Sequence, residues 1–167
     1  IMLPASRFGF QNQLNTLFYV LDYDKKTKSM SRKWWLDLGN NLVTGAPSIA
    51  DLRNDQQKYV VFATNPSGSG EGKVYGFKGN LKNKRETSDA RWVYNLPAET
   101  EQHDFPGDLR HTTVADIDLN DNGIKEVIVA DTGEVTNWQS FVYVLEPQSS
   151  RAFNLQKKFG VGNSGQT

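Results

Sequence analysis

The stretch TVADIDLNDNGIKEVIVA, residues 113–130, places an oxygen-rich turn between two runs of β-branched and small apolar residues. Such runs, bounded by glycine, asparagine and aspartate, are typical of short β-strands. An earlier copy at residues 48–63 has SIADL leading to YVVFA, with two residues fewer between its Ala-Asp pair and its next strand. A strand–turn–strand unit that recurs in this way predicts a repeat architecture built from β-sheet.

A second block recurs around these two copies. Tyrosine lies in an apolar strand at three places, 56 and 68 residues apart, which are Tyr19, Tyr75 and Tyr143. A large aromatic residue follows each tyrosine after 16 or 17 residues, at Trp35, Trp92 and Phe159. A full unit therefore contains, in order, an Ala-Asp strand, a β-branched strand, a tyrosine strand and an aromatic strand.

Four short strands per unit are typical of the blades of a β-propeller, in which successive sheets stack and bury their faces. We predict an all-β fold made of blades of four antiparallel strands, with about two and a half blades present; a β-sandwich is the alternative. The repeat register gives a partial blade at residues 1–45, a blade with a degenerate metal loop at residues 46–110 and a blade with a calcium-type loop at residues 111–167. Because closed propellers contain about four to eight blades, we expect further blades or another chain to complete it.

Composition excludes several classes of protein. The 167 residues contain 19 lysine and arginine side chains against 19 aspartate and glutamate side chains, so the basic surplus of a nucleic-acid-binding protein is missing. No run approaches the roughly 18 apolar residues of a transmembrane helix. Cysteine is absent, which excludes disulfide scaffolds, thiolate metal sites and cysteine nucleophiles.

The turn at residues 118–126 reads D-x-N-x-N-G-x-x-E, the pattern of a loop that wraps around a cation. Calcium takes roughly six to eight oxygen ligands; alternate side chains of a curled loop supply them, and glycine permits the sharp turn. We predict a Ca²⁺ site whose ligands are Asp118, Asn120, Asn122, the backbone carbonyl of Ile124 and Glu126. Asp116 is an alternative first ligand, and a plain Asn-Gly turn between two strands is the metal-free alternative.

This block resembles the FG-GAP/VCBS repeat, in which a D-x-[DN]-x-[DN]-G-x-x-[DE] loop joins two strands of a propeller blade and holds calcium. An EF-hand is excluded, since its loop closes with glutamate at position 12, where Val129 stands. The tyrosine strand at residues 19–22, followed by Trp35, resembles the quinoprotein-like propeller repeat. The resemblance to the FG-GAP/VCBS repeat implies a structural calcium ion, and affinity should be modest because only two of the predicted ligands are carboxylates.

The copy of this loop in the earlier repeat departs from the pattern. Arg53 stands at its third position, Gln56 replaces the glycine and Tyr59 replaces the closing acid. We predict that this loop is metal-free and that Arg53 pairs with Asp51 or Asp55 in place of an ion.

Both histidines lie in one polar segment, residues 103–111, which also contains two aspartates. His103, His111 and these carboxylates form a set that can ligate a transition metal or supply acid–base groups. The alternative is a long polar connection between repeats, and we assign no catalytic residue.

Two further tryptophans are candidates for a contact surface. Neighbours in a strand point to opposite faces, so we predict that Trp35 is in the core, like Trp92 and Phe159, and that Trp34 is available to stack on a sugar. Trp138, in a turn, is the other candidate.

The resemblance implies a calcium-stabilised propeller segment that acts as a binding or cell-adhesion module with a protein or glycan partner. A weak calcium site is filled where calcium is abundant, so we expect an extracellular, cell-surface or periplasmic protein. The rivals are a fragment of a propeller enzyme, such as a quinoprotein-like dehydrogenase or a polysaccharide lyase, and a propeller subunit of a larger assembly.

Overall fold

The computed structural model describes residues 2–8, 14–43, 45–66, 72–96, 110–117, 122–131 and 139–162. Within them the fold is all-β, as predicted, with one short 3-10 helix at Thr87–Asp89. The strands, numbered in chain order, are β1 (Met2–Phe8), β2 (Leu14–Asp24), β3 (Ser29–Asp37), β4 (Asn41–Leu42), β5 (Ser48–Ala50), β6 (Tyr59–Pro66), β7 (Lys73–Lys78), β8 (Asn83–Arg85), β9 (Trp92–Asn95), β10 (Arg110–Ala115), β11 (Glu126–Asp131), β12 (Gln139–Pro147) and β13 (Phe153–Gly162).

The strands form three sheets. The first sheet contains β1, β2, β3 and β8; the middle sheet contains β4 and β5, which both pair with β6, followed by β7 and β9; the third sheet contains β10 to β13 in chain order. Among the described strands the pairs are antiparallel except β3 with β8, where Trp35 lies opposite Lys84. This parallel pair departs from the predicted blade, because β8 comes from the connection between β7 and β9 and covers the open edge of β3.

The middle sheet packs on the first sheet through large aromatic side chains. Along β6 successive side chains point to opposite faces, and Val60 and Phe62 pack against the first sheet. The Phe62 ring stacks on Phe18 with the ring centroids 4.2 Å apart. Trp34 of β3 lies in the same cluster, 5.5 Å from Phe77 between ring centroids.

The other face of the middle sheet packs on the third sheet. Val61 and Ala63 of β6 belong to this second cluster, together with Val129 of β11. At one end of the interface, Trp92 of β9 lies 5.7 Å from Phe153 of β13, measured between ring centroids. The middle sheet is therefore enclosed between two others.

The three repeated tyrosines point the same way along this stack. Tyr75 lies between the first and middle sheets and Tyr143 lies between the middle and third sheets, so each faces the sheet that precedes it in the chain. Tyr19 follows Phe18, which packs on the middle sheet, and therefore points to the outer face of the first sheet. The repeat in the sequence corresponds to a repeat in space.

A register shift also recurs at one place in the repeat. In the first sheet, β2 and β3 change register between Val20 and Leu21. In the third sheet, β12 and β13 change register between Val144 and Leu145. Both shifts come directly after the residue that follows the repeated tyrosine, as expected of equivalent strands with equivalent bulges.

The prediction for the tryptophan pair is wrong. Trp34 is fully buried, whereas Trp35 is half-buried on the outer face of the first sheet. The reason is the register: Tyr19 lies opposite Trp35, and residues directly opposite each other share a face. Trp34 and Trp92 therefore correspond, since each packs on the sheet that follows its own.

The prediction that Phe159 is a core residue is also wrong, because its side chain is 44% exposed. Phe159 pairs with Val142, whose neighbour Tyr143 faces the middle sheet. Phe159 thus points to the outer face of the third sheet, the direction in which Trp34 and Trp92 point from their own sheets. No described strand covers that face.

Candidate metal site

The described part of the predicted calcium loop enters β11 through a tight turn. Gly123 has a φ of +67°, a left-handed conformation that favours glycine. Asn122 Oδ1 accepts a hydrogen bond of 2.8 Å from the Ile124 N–H, which is a common way for asparagine to fix a turn. The turn places Glu126 as the first residue of β11.

Glu126, the closing carboxylate of the predicted ligand set, is fully buried. Its Oε2 accepts a hydrogen bond of 3.1 Å from the Ile117 N–H, from the other side of the loop. Its Oε1 is also buried and has no hydrogen-bond donor among the described residues. A buried acceptor without a donor costs roughly 1–3 kcal/mol, and more where it is charged. A cation at Glu126 Oε1 removes that cost, so this atom fits a metal ligand.

The donor set fits Ca²⁺ better than a soft metal, because every predicted ligand is an oxygen. The described members are Asn122, Ile124 and Glu126, and the remaining two, Asp118 and Asn120, lie outside the described residues. Within the described part of the chain, no three His, Cys, Asp or Glu side chains come together as a metal site. The alternative first ligand, Asp116, is exposed and directly precedes Ile117.

The corresponding loop of the middle sheet is held together by its own hydrogen bonds. Asp51 accepts from the N–H groups of Asp55 and Gln56, at 3.1 and 2.8 Å. Asp55 accepts from the Gln57 N–H at 3.0 Å and from the Tyr59 hydroxyl at 2.9 Å. Tyr59, at the position of the closing acid, thus ties the loop to β6 through a hydrogen bond.

These contacts shift two pKa values in opposite directions. Burial by itself raises the pKa of Asp55, but hydrogen bonds from the Gln57 N–H and the Tyr59 hydroxyl hold the pKa below its usual 3.8. Burial, followed by the hydrogen bond to the Asp55 carboxylate, raises the pKa of Tyr59 to about 12. The pair is therefore a stable arrangement of a neutral tyrosine and a charged aspartate.

The predicted role of Arg53 as a substitute for the ion is wrong. Among the described residues Arg53 forms no ion pair with Asp51 or Asp55. Its guanidinium donates instead to the backbone carbonyl of Gln148, after β12, at 3.5 Å. Both aspartates already accept hydrogen bonds from their own loop, so the arginine side chain is left to extend towards the third sheet.

The two loops touch where the middle and third sheets meet. The Lys125 N–H donates to the Leu52 carbonyl at 2.8 Å, so the residue directly before Glu126 is tied to the loop of the middle sheet. Leu52 itself is fully buried in the cluster between these sheets. The turn before β11 therefore takes part in a contact between two sheets.

One acidic residue beside the loop has no place in the motif. Glu146 of β12 is 7% exposed, and its Oε1 accepts a hydrogen bond of 3.4 Å from Asn122 Nδ2. The side-chain amides of Gln148 and Gln156 donate to the same carboxylate at 3.3 and 2.7 Å. A motif search cannot find Glu146, because it lies on another strand. The sequence feature that could have pointed to Glu146 is its position directly after the apolar run of β12.

The other candidate residues from the sequence add no described contact to a functional site. The side chains at residues 103–111, with both histidines, and Trp138 lie outside the described residues, so those predictions stay predictions. Trp34, the candidate for stacking on a sugar, is fully buried in the core and is not available to a ligand.

Comparisons with protein-family models, with curated proteins and with solved structures give no match. No helix in the described part of the chain is long and apolar enough to cross a membrane.

Proposed function

We propose that the chain is a calcium-stabilised segment of a β-propeller of the FG-GAP/VCBS type. Its role is that of a binding or interaction module in an extracellular, cell-surface or periplasmic protein. The observation that carries the calcium site is the buried Oε1 of Glu126, which has no donor among the described residues, at the place where the motif requires the closing ligand.

Three features of the sheets support the propeller. They stack in chain order, their tyrosines share one direction, and the first and third sheets have a bulge at the same place in the repeat. In a propeller each blade packs on the next in this way. A β-sandwich, in contrast, has two sheets and one interface, whereas the described residues form two interfaces.

The outer face of the third sheet supports completion by further sheets. Phe159 lies there and is 44% exposed, and it points in the same direction as Trp34 and Trp92, each of which the next sheet covers. We take the occupant of this face to be another four-stranded sheet, from further blades or from another chain. A propeller subunit of a larger assembly is therefore the second candidate function.

The number of carboxylate ligands and the charge balance support the proposed location and partner. Two carboxylates among the predicted ligands favour weak calcium binding, which suits the high calcium concentration outside the cytoplasm. A protein or glycan partner suits a rigid module of this kind, and the even charge balance does not favour nucleic acid. The candidate residues for the enzyme alternative are confined to residues 103–111, and no described contact favours catalysis.

Calcium-dependent melting tests the proposal. At a calcium concentration 100-fold above Kd, a single site stabilises the folded chain by about 2.7 kcal/mol. For a chain of this size the melting temperature should rise by roughly 5–10 °C, and chelation should reverse the rise. An unchanged melting temperature in millimolar calcium contradicts the proposal.

Two variants localise the effect. Glu126→Gln keeps the size of the side chain and removes its charge, so the calcium-dependent rise should disappear. Asp55→Asn changes the corresponding loop of the middle sheet and serves as the matched control, with a lower melting temperature but the full response to calcium. A full response in Glu126→Gln contradicts the assigned ligand.

A further inference from the structure

The outer face of the first sheet carries a row of aromatic and basic side chains, which we call the aromatic–basic row. Three pairs of directly opposite residues in β2 and β3 lie along it, and these are Tyr19 with Trp35, Leu21 with Arg32, and Tyr23 with Met30. Tyr19 points to the outer face, and side chains two residues apart in a strand share a face. Tyr23 and Met30 are 47% and 55% exposed, so one end of the row offers apolar surface to solvent.

Two cations lie over the ring of Trp35. Arg32 Cζ is 5.6 Å and Lys84 Nζ is 5.4 Å from the ring centroid, within the range of about 6 Å over which a cation is attracted to an aromatic ring. Lys84 belongs to β8, the parallel strand at the edge of β3. Both cationic residues are exposed, and neither forms an ion pair with a described acidic side chain. The ring therefore holds two positive charges near each other at the surface.

The carboxylates of β2 and β3 have other contacts. Asp22 lies 3.9 Å from Lys33 Nζ, and Lys33 is the extra residue where β3 changes register against β2. Asp24 and Asp37 each accept backbone N–H groups from the turn that follows them. These carboxylates thus leave the two cations on Trp35 without an ion pair. Two exposed cations in this situation favour an anionic ligand.

A preceding sheet in a propeller leaves this part of the face accessible. The residue opposite the repeated tyrosine is Trp35 in the first sheet, Val93 in the middle sheet and Lys158 in the third sheet. Val93 is half-buried and Lys158 is exposed, although another sheet precedes each of them in the stack. The aromatic–basic row is therefore compatible with a propeller that has further blades.

We propose that the aromatic–basic row binds a polysaccharide of uronic acids. Arg32 and Lys84 hold its carboxylates, and a planar guanidinium fits a carboxylate through two parallel hydrogen bonds. Tyr23 contacts the apolar face of a neighbouring sugar ring, since aromatic side chains supply rigid amphipathic contact area. A uronic acid chain repeats a carboxylate beside a rigid ring with an apolar face, whereas an acidic peptide supplies the carboxylates without such rings. This inference rests on the proposed role as a binding module and names its partner.

Titration of oligogalacturonate into the full chain by isothermal titration calorimetry tests the proposal. EDTA is present, so that calcium cannot crosslink the sugar chains. Wild type should bind, and Arg32→Gln should weaken Kd by about 10-fold, as expected for a lost hydrogen bond between charged groups. Arg32→Lys keeps the charge without the planar fork, so its Kd should lie between the two. Tyr23→Ala should also weaken binding. Lys157→Gln is the matched control, because Lys157 Nζ lies 5.3 Å from the ring centroid of Phe159 on the third sheet, and it should bind like wild type.

Two further probes separate the chemistry of the partner. Polyglutamate that binds as tightly as oligogalacturonate shows a site for acidic peptides, and dextran sulfate that binds more tightly shows a site for sulfate groups; either result overturns the proposal. Absence of oligogalacturonate binding, or a wild-type Kd in Arg32→Gln, also overturns it. Because Arg32 and Tyr23 are exposed, their variants should melt within a few degrees of wild type, which shows that weaker binding is not unfolding.

The outcome is distinguishable from failure of the proposed function. If oligogalacturonate does not bind but calcium still raises the melting temperature, the calcium-stabilised module stands and the uronic acid partner is wrong. If calcium leaves the melting temperature unchanged but oligogalacturonate binds in EDTA with the expected loss in Arg32→Gln, the calcium site is wrong and the aromatic–basic row is confirmed as a binding site.

Discussion

Replacing Gly76 with alanine tests the packing of the middle sheet on the third. Gly76 lies in β7 opposite Trp92, and a Cβ at this position would approach Trp92 Cε3 and Phe153 Cζ to 3.0 Å each. Carbon atoms prefer separations of about 3.5–4.0 Å, and both rings are buried, so neither can turn into solvent. Overpacking of this kind costs about 1–3 kcal/mol.

Urea denaturation measures this cost directly. A loss of about 2 kcal/mol also lowers the melting temperature by roughly 4–8 °C in a chain of this size. Gly160→Ala is the matched control, since Gly160 lies in β13 and its Cβ would meet Phe141 Cε1 at an ordinary 3.8 Å. We expect a change within about 0.5 kcal/mol for this surface position.

A double-mutant cycle assigns the cost to the interface. Phe153→Leu removes the ring that the new methyl group meets, so Gly76→Ala should cost less in that background, by at least about 0.5 kcal/mol. The packing of Phe153 against β7 is refuted if Gly76→Ala is as stable as wild type, or if its cost is the same in both backgrounds.

Other substitutions test the remaining contacts. Tyr59→Phe removes the donor to Asp55 and should cost about 1–2 kcal/mol by urea denaturation. Because the pKa of Tyr59 is raised from 10.0 to about 12, its contribution is complete below pH 10 and is lost as the pH rises from 10 to 12. Melts over that range should show a steeper loss in wild type than in Tyr59→Phe, and identical slopes contradict the hydrogen bond. Trp34→Ala should cost about 3–5 kcal/mol and the half-buried Trp35→Ala about 1 kcal/mol; the reverse order supports the sequence-based assignment.

The class of fold could be predicted from the sequence because strand runs and their order are local signals. The recurrence of Tyr19, Tyr75 and Tyr143 indicates equivalent strands, and the structure points all three in one direction. The sequence alone does not determine which face of the sheet each neighbouring aromatic side chain occupies, because a change of register by one residue moves a side chain to the opposite face. Trp34 and Trp35 are adjacent in β3, so their side chains lie on opposite faces of the sheet.

The candidate site likewise has residues that the sequence motif identifies and residues that only the structure shows. The motif identifies Gly123 and Glu126, since both are defined by spacing within one loop. Glu146 lies on another strand, and its hydrogen bond from Asn122 Nδ2 forms only when β12 pairs with β11. Charge alone predicts that Arg53 replaces an ion. Its neighbours Asp51 and Asp55 prove to be occupied by hydrogen bonds from their own loop.

The central claim is that Glu126 closes a calcium site at the entry to β11. The most direct test is a crystal structure of the chain grown in CaCl₂, with anomalous diffraction data to locate calcium. We predict one anomalous peak about 2.3–2.6 Å from Glu126 Oε1. The claim is contradicted if no peak lies at the loop and Glu126 Oε1 instead accepts a hydrogen bond from the protein.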